Sequence, residues 1–289
     1  MMNGHARRTL EEYGLAPSKR RGQNFLVHQG TARAIVSKAS FSKDDHVIEI
    51  GVGLGALTCC LAEAVARVTG FEVDRGIIRY HQEQKTLPAN VELVHEDILK
   101  ADFRRMRERI GRPLRIISNL PYSISNPFIF VLIDNRRHIE QAVVLLQKEV
   151  ADRLQAMPGS KEFGVPSILL QSCARVTALM HVGPAEFYPR PKVDSSLIRI
   201  EFNDVPISDE RYTWLRAVVR AAFSSRRKTV LNNLLASLSL PQQEFSDQPA
   251  KRRYLQSVLE RVSIKTDIRA ERIEISKFKE LAKELSETA

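Results

Sequence analysis

The sequence predicts an α/β fold, a seven-stranded and mainly parallel sheet with helices on both faces, followed by a smaller helical domain. Three observations predict it. Short apolar runs alternate with helical stretches over roughly the first two thirds of the 289 residues, the arrangement of successive βαβ units. A glycine-rich turn, Gly51-Val52-Gly53-Leu54-Gly55, joins the first strong apolar run to a helix. After Asn203-Asp204-Val205-Pro206 the strands give way to helices.

Taken in order, residues 1–17 lack hydrophobic periodicity and read as a mobile N-terminal segment. A main domain is expected over 18–204 and a helical one over 205–289. Val47, Ile48 and Ile50 form a strand, the glycines break it, and Leu57, Leu61, Ala62 and Val65 recur at helical spacing. Further apolar runs at 68–73, 91–94, 114–117 and 144–146 continue the alternation. Residues 174–182 and 196–202 read as late strands on either side of the proline-rich loop 184–191. Beyond the boundary, Trp214, Leu215, Val218, Val219 and Ala222, then Val230, Leu231, Leu234 and Leu235, recur as apolar helix faces.

Composition narrows the class. A hydrophobic content of 43% over this length can bury a sizeable core. No run approaches the about 18 apolar residues of a membrane span, and residues at the N-terminus lack an apolar signal core, so a cytoplasmic protein is expected. Cys59, Cys60 and Cys173 are too few for a disulfide framework, and neither they nor the histidines have a metal-ligand spacing, so no metal is expected. The formal net charge of +10 favours a polyanionic partner. Lys19-Arg20-Arg21 and Arg226-Arg227-Lys228 are the candidate phosphate contacts, with Lys251-Arg252-Arg253 a further basic run, although any such run can also be a solvated face.

The chemistry starts at the glycine turn. Glycines let the backbone approach a ligand, and the helix that follows offers unpaired N–H groups. Glu72 ends the next apolar run, 21 positions after Gly51, where an acid is placed to bind ribose hydroxyls. Gly51 and Gly53 with Ala56 also satisfy the G-x-G-x-x-A form of nicotinamide enzymes, so the turn alone is divided between that cofactor and S-adenosylmethionine. Two later positions favour S-adenosylmethionine. Asp97 follows the third run and can accept from an adenine amine, though it can also cap a helix before Leu99; Asn119 follows the fourth. Groups at the ends of successive parallel strands collect at one edge of the sheet.

Asn119-Leu120-Pro121-Tyr122 then indicates the reaction. Adenine's exocyclic amine is a poor nucleophile because its lone pair is delocalised into the ring. The Asn119 side-chain oxygen and the Leu120 carbonyl can accept its two hydrogens and favour the pyramidal nitrogen that attacks. Pro121 fixes the backbone that aims the carbonyl, and Tyr122 offers a face for an extruded base. The alternative is an ordinary proline turn with a half-buried tyrosine. Together with the glycine turn, the tetrapeptide points to methyl transfer to adenine N6.

Four segments in this order, Gly22-Gln23-Asn24-Phe25-Leu26, Glu49 to Thr58, Asn119 to Tyr122 and Phe223-Ser224-Ser225-Arg226-Arg227-Lys228-Thr229, resemble the ribosomal RNA adenine N6,N6-dimethyltransferase family, most closely its KsgA/RsmA type. The resemblance implies a Rossmann-like S-adenosylmethionine-dependent methyltransferase domain with a reversed strand near the sheet edge. It also implies dimethylation of two adjacent adenosines near the 3′ end of small-subunit ribosomal RNA. The partners it implies are that RNA and the assembling small subunit; nothing in the sequence requires more than a monomer. Carried over by position, Asn24, Leu26, Gly51, Gly53, Glu72, Asp97 and Asn119 would contact the cofactor, and Phe187 would enclose the target base with Tyr122. Ser123 departs from the asparagine usual after the tyrosine, and His95-Glu96 precede Asp97 where a glycine is more usual.

Overall fold

The structure is a computed structural model and describes residues 3–13, 15, 22–203, 208–240, 245 and 247–287. The Lys19-Arg20-Arg21 run lies outside the described residues, as do parts of the expected N-terminal segment and of the 203–206 boundary. Nine strands are described: β1 Phe25–Leu26, β2 His46–Ile50, β3 Arg67–Glu72, β4 Val91–His95, β5 Leu114–Asn119, β6 Ile139–Gln147, β7 Ala174–Val182, β8 Phe187–Tyr188 and β9 Ser195–Phe202. Among them run the helices α1 Asn3–Glu12, α2 Gln29–Ala39, α3 Ala56–Ala64, α4 Arg75–Gln84, α5 Phe103–Ile110, α6 Ser125–Asp134, α7 Lys148–Gln155 and α8 Val165–Gln171. The C-terminal helices are α9 Asp209–Ala222, α10 Val230–Ser237, α11 Gln248–Arg261 and α12 Ile275–Glu287.

Seven strands form one sheet in the order β4-β3-β2-β5-β6-β9-β7. β2 pairs in parallel with β3 and β5, β3 with β4, and β5 with β6. β9 is the reversed strand, antiparallel to β6 and second from the edge. The expected α/β architecture and the reversal are both present. Strand order reverses at β2, which has β3 on one side and β5 on the other, so the loops leaving these strands diverge and open a crevice.

Continuous apolar strands need cover on both faces. On one face Ala32, Ile35 and Val36 of α2 and Leu57 and Leu61 of α3 pack with Val47, Val68, Ile117, Val143 and Leu197 in one buried cluster. Local chemistry places the helix starts. Asp74 caps α4 by accepting from Gly76 N at 2.9 Å, and Asp102 caps α5 through Arg105 N at 3.0 Å. At the opposite end of the sheet the buried Asp45 side chain accepts from Ser42 N and from Arg115, and Arg115 also pairs with Glu140. β1 and β8 form a separate two-stranded antiparallel ribbon, Phe25 opposite Tyr188 and Leu26 opposite Phe187.

The chain divides into two compact units, Met1–Ala151 with Arg175–Asp204, and Asp152–Ala174 with Val205–Ala289. The second takes in residues 152–174, which a single boundary near 204 assigns to the first. The reason is packing: α8 lies against α9, and Gly159 N donates to the Glu271 carbonyl at 2.7 Å. Within α9 the buried face is Tyr212, Leu215, Val218, Val219, Ala221 and Ala222, whereas Trp214 is only half-buried.

Gly70 of β3 lies directly beneath the glycine turn. A Cβ there would stand 2.5 Å from Cγ2 of Val52, a stiff side chain that is itself buried. Gly70→Ala is expected to cost about 1–3 kcal/mol of stability through overpacking, measured by denaturant unfolding, and to weaken cofactor binding because Val52 belongs to the turn.

Candidate active site

The turn after β2 is built from left-handed backbone, with φ of +78° at Gly51, +55° at Gly53 and +84° at Gly55, which caps α3. A side chain would also be crowded here: a Cβ on Gly53 would stand 3.0 Å from the Phe25 ring. Glu72, at the end of β3, holds this turn. One carboxylate oxygen accepts from Gly53 N at 3.0 Å, and the other from Val73 N and Asp74 N, each at 2.9 Å. The residue is only 5% exposed. Burial raises its pKa, and the backbone donors from Asp74, Gly53 and Val73 oppose that rise.

One cavity opens above the strand ends. It is lined by Asn24, Leu26, Gly51, Gly53, Glu72, Asp97, Asn119 and Pro121, which gathers every cofactor residue expected from the sequence. Phe25, Phe71, Val73 and Ile98 add apolar surface, and Gln23, Glu96 and Ser123 polar surface. Asp97 heads a turn rather than a helix, the next helix being α5, which Asp102 caps. Asp97 lines the cavity, and one of its oxygens accepts from Leu99 N at 3.0 Å, leaving the other for a ligand. Asn119 donates its Nδ2 to the Asn24 carbonyl at 3.0 Å, which commits the nitrogen end of the amide and leaves Oδ1 as the acceptor.

Three candidate residues stand apart from the cavity lining. The Leu120 side chain is buried, so its carbonyl is the group that would act. Tyr122 is half-buried, and its hydroxyl bonds Ser195 Oγ at 2.7 Å, which fixes the ring; burial raises its pKa and the Ser195 bond opposes this. Phe187 is 2% exposed and belongs to the same core cluster as Leu26 and Val182. In the β1–β8 ribbon it stands opposite Leu26. Arg226, Arg227 and Lys228 are exposed in the turn between α9 and α10 of the second unit. Buried Asn233 shapes that turn by donating Nδ2 to the carbonyls of Ala222 at 2.6 Å and Ser225 at 2.9 Å. Lys251 Nζ bonds the Leu238 carbonyl at 2.8 Å, so this member of the third basic run secures the end of α10.

Two residues of the site region have no role that their sequence context announces, Ser195 and Glu49. Ser195 opens β9 and carries no spacing that signals a tyrosine partner. Glu49 stands out only as a lone acid in an apolar strand. It is wholly buried, and among the described residues neither carboxyl oxygen has a hydrogen-bond partner. Burial pushes its pKa up to about 8; the neighbouring Thr58 hydroxyl lowers it in part and Glu72 adds to the rise. The shift favours the neutral carboxyl at pH 7.

The residues fit S-adenosylmethionine in kind. A buried carboxylate suits ribose hydroxyls, Asp97 suits an adenine amine, apolar walls suit the adenine ring, and the Cβ-free turn admits a ligand against the backbone. Fold and site together define a Rossmann-like methyltransferase. The family model described as ribosomal RNA adenine dimethylase matches residues 16–279, and the chain belongs to that family. It is 46% identical to the ribosomal RNA small subunit methyltransferase A of Desulfotalea psychrophila, covering 95% of this chain and 93% of the relative. With the enzyme of the same name from Syntrophus aciditrophicus the identity is 36%, over 97% and 98% of the two chains. Among solved structures, a dimethyladenosine transferase from Plasmodium falciparum superposes with a TM-score of 0.74 at 25% identity, covering 89% of this chain and 95% of that one. The 23S rRNA methyltransferase ErmE shares the fold, with a TM-score of 0.65 at 21% identity over 91% and 99% of the chains.

A carboxyl whose folded pKa lies above its ordinary 4.5 stabilises the fold most at low pH, and that contribution is lost as pH rises towards about 8. Glu49→Gln stays neutral throughout. Without cofactor, its stability relative to the parent protein is expected to grow between pH 4.5 and about 8, reaching a few kcal/mol, an upper bound. Unfolding measured across this pH range checks it; a parallel pH dependence in both proteins is the contrary result.

Proposed function

We propose that the protein methylates N6 of two adjacent adenosines near the 3′ end of small-subunit ribosomal RNA, taking each to the dimethyl state. It acts as a cytoplasmic monomer on the assembling small subunit. The observation that carries the reading is the Asn119 amide. One N–H of its nitrogen is given to the Asn24 carbonyl, which orients the amide with Oδ1 as the acceptor at the exit of β5, in the lining of the cavity of a ribosomal RNA adenine dimethylase.

S-adenosylmethionine supplies an electrophilic methyl group when bound. Glu72, Asp97, Asn24, Leu26 and the Gly51–Gly53 turn hold and orient it. Asn119 Oδ1 and the Leu120 carbonyl accept the hydrogens of the adenine amine, and these bonds strengthen as the nitrogen becomes pyramidal and acquires positive charge. Each transfer would release S-adenosylhomocysteine and one proton to solvent; after the first, a single N–H is left for these acceptors, so a second transfer needs no new machinery. Tyr122, fixed through Ser195, presents a ring face to the base. Arg226, Arg227 and Lys228 bind RNA phosphates and take no part in the chemistry.

Radiolabelled methyl transfer to unmethylated small subunits, large subunits and DNA, followed by nucleoside analysis, tests the assignment. Dimethyladenosine confined to the small subunit is the expected outcome; label in the large subunit would favour the 23S activity instead. A variant that cannot bind cofactor yet still binds subunits would add an assembly checkpoint role to the enzymatic one.

Asn119→Ala is expected to lower single-turnover methylation by at least 10-fold, about 1.4 kcal/mol, with a smaller effect on cofactor affinity. Turnover close to that of the parent protein would remove Asn119 from the chemistry. Replacing Arg226, Arg227 and Lys228 together by alanine removes up to three cations from the RNA phosphates. For every phosphate no longer neutralised, the logarithmic salt dependence of RNA binding flattens by about one, while cofactor affinity is unchanged. Equal slopes would make the segment a solvated turn.

A further inference from the structure

His81 is a buried, fully hydrogen-bonded histidine that the assigned chemistry leaves unused. It lies on α4 and is only 3% exposed. Nε2 stands 2.7 Å from the Gly53 carbonyl, and Nδ1 stands 2.5 Å from Thr86 Oγ1. A carbonyl can only accept, so Nε2 carries the ring proton and donates it; Nδ1 then accepts from the Thr86 hydroxyl. Burial lowers the ring's pKa, in keeping with a neutral imidazole bearing that single proton.

We propose that His81 is a positioning residue of the methyl-donor site, its Nε2–H fixing the Gly53 carbonyl so that the glycine turn holds the shape that receives the cofactor. This rests on the placement of S-adenosylmethionine in the cavity above. Gly53 is a lining residue at φ +55°, a conformation in which glycine has little intrinsic preference to stay. Its two backbone groups are held from two elements: the N–H by Glu72 at the end of β3, and the carbonyl by His81 on α4. The imidazole also packs flush on the next glycine, since a Cβ on Gly55 would stand 3.3 Å from its Cε1. α4 is itself fixed to the site, because Asp74, its N-cap, donates its own N–H to Glu72. His81 and Glu72 thus hold the two peptide groups that flank Gly53, and releasing either lets the turn reorient and disturbs the carboxylate that meets the ribose.

An aliphatic side chain fills the same space but leaves the carbonyl unpaired, whereas glutamine can still donate to it. The test measures S-adenosylmethionine affinity by calorimetry, RNA affinity, and kcat and KM, for His81→Leu, His81→Gln and Glu72→Ala. In His81→Leu the cofactor Kd and KM are expected to rise about 10-fold. RNA affinity and kcat at saturating cofactor should stay within about twofold, and His81→Gln should recover most of the loss. Equal losses in the leucine and glutamine variants, tracking a common fall in unfolding midpoint, would reduce His81 to core packing and overturn the proposal. Unchanged cofactor affinity in His81→Leu beside a weakened Glu72→Ala overturns the role of His81 alone. Unchanged affinity in both overturns the placement of the cofactor, and the role of His81 with it.

Discussion

The site depends on one buried carboxylate. Glu72 gathers the N–H groups of Gly53, Val73 and Asp74, which belong to the turn after β2 and to the link between β3 and α4. A carboxylate is acceptor-only, so all three peptides must present their N–H groups to it, and this decides how the turn is oriented. Hydrogen bonds to a charged group are worth about 1.5–3 kcal/mol each, and here they work against the desolvation that raises the pKa. Glutamine in that place would bring its own N–H groups towards donors, so the constraint is one of charge as well as shape.

From that point the rest of the crevice follows from parallel pairing. β2, β3, β4 and β5 end at one edge, so Gly51, Glu72, Asp97 and Asn119 meet although some 68 positions separate the first from the last. The β1–β8 ribbon then brings Asn24 and Phe25 over the turn, and the Asn119–Asn24 bond fastens that cover to the exit of β5. The amide therefore fastens the cover through one atom and leaves the other for the proposed chemistry.

Much of this was legible in the sequence because it depends on local rules. Glycines where L side chains are strained, an acid at the end of a strand, and apolar runs of strand length each carry their own physical signature. What was hidden depends on pairing at a distance. Phe187 carries no sequence sign that it stands opposite Leu26 and belongs to the same buried cluster. Tyr122 and Ser195 are 73 positions apart, and His81 and Gly53 are 28 apart; neither spacing has meaning until the sheet brings them together. The membership of residues 152–174 in the second unit was likewise invisible, since short helices carry no label for the partner they will pack against.

That last arrangement has a consequence for how the molecule is made. The chain passes between the units three times, near 151, 174 and 204. During synthesis α8 emerges before α9, so the part of α8 that packs against α9 waits for a partner that is still inside the ribosome. Strand β9, which completes the antiparallel pairing with β6, also emerges in that interval. Neither unit can be excised by a single cut without taking part of the other, and the first can close its sheet while the second is still incomplete. An enzyme that acts on ribosomal RNA thus carries its own order of assembly in the way its chain is threaded.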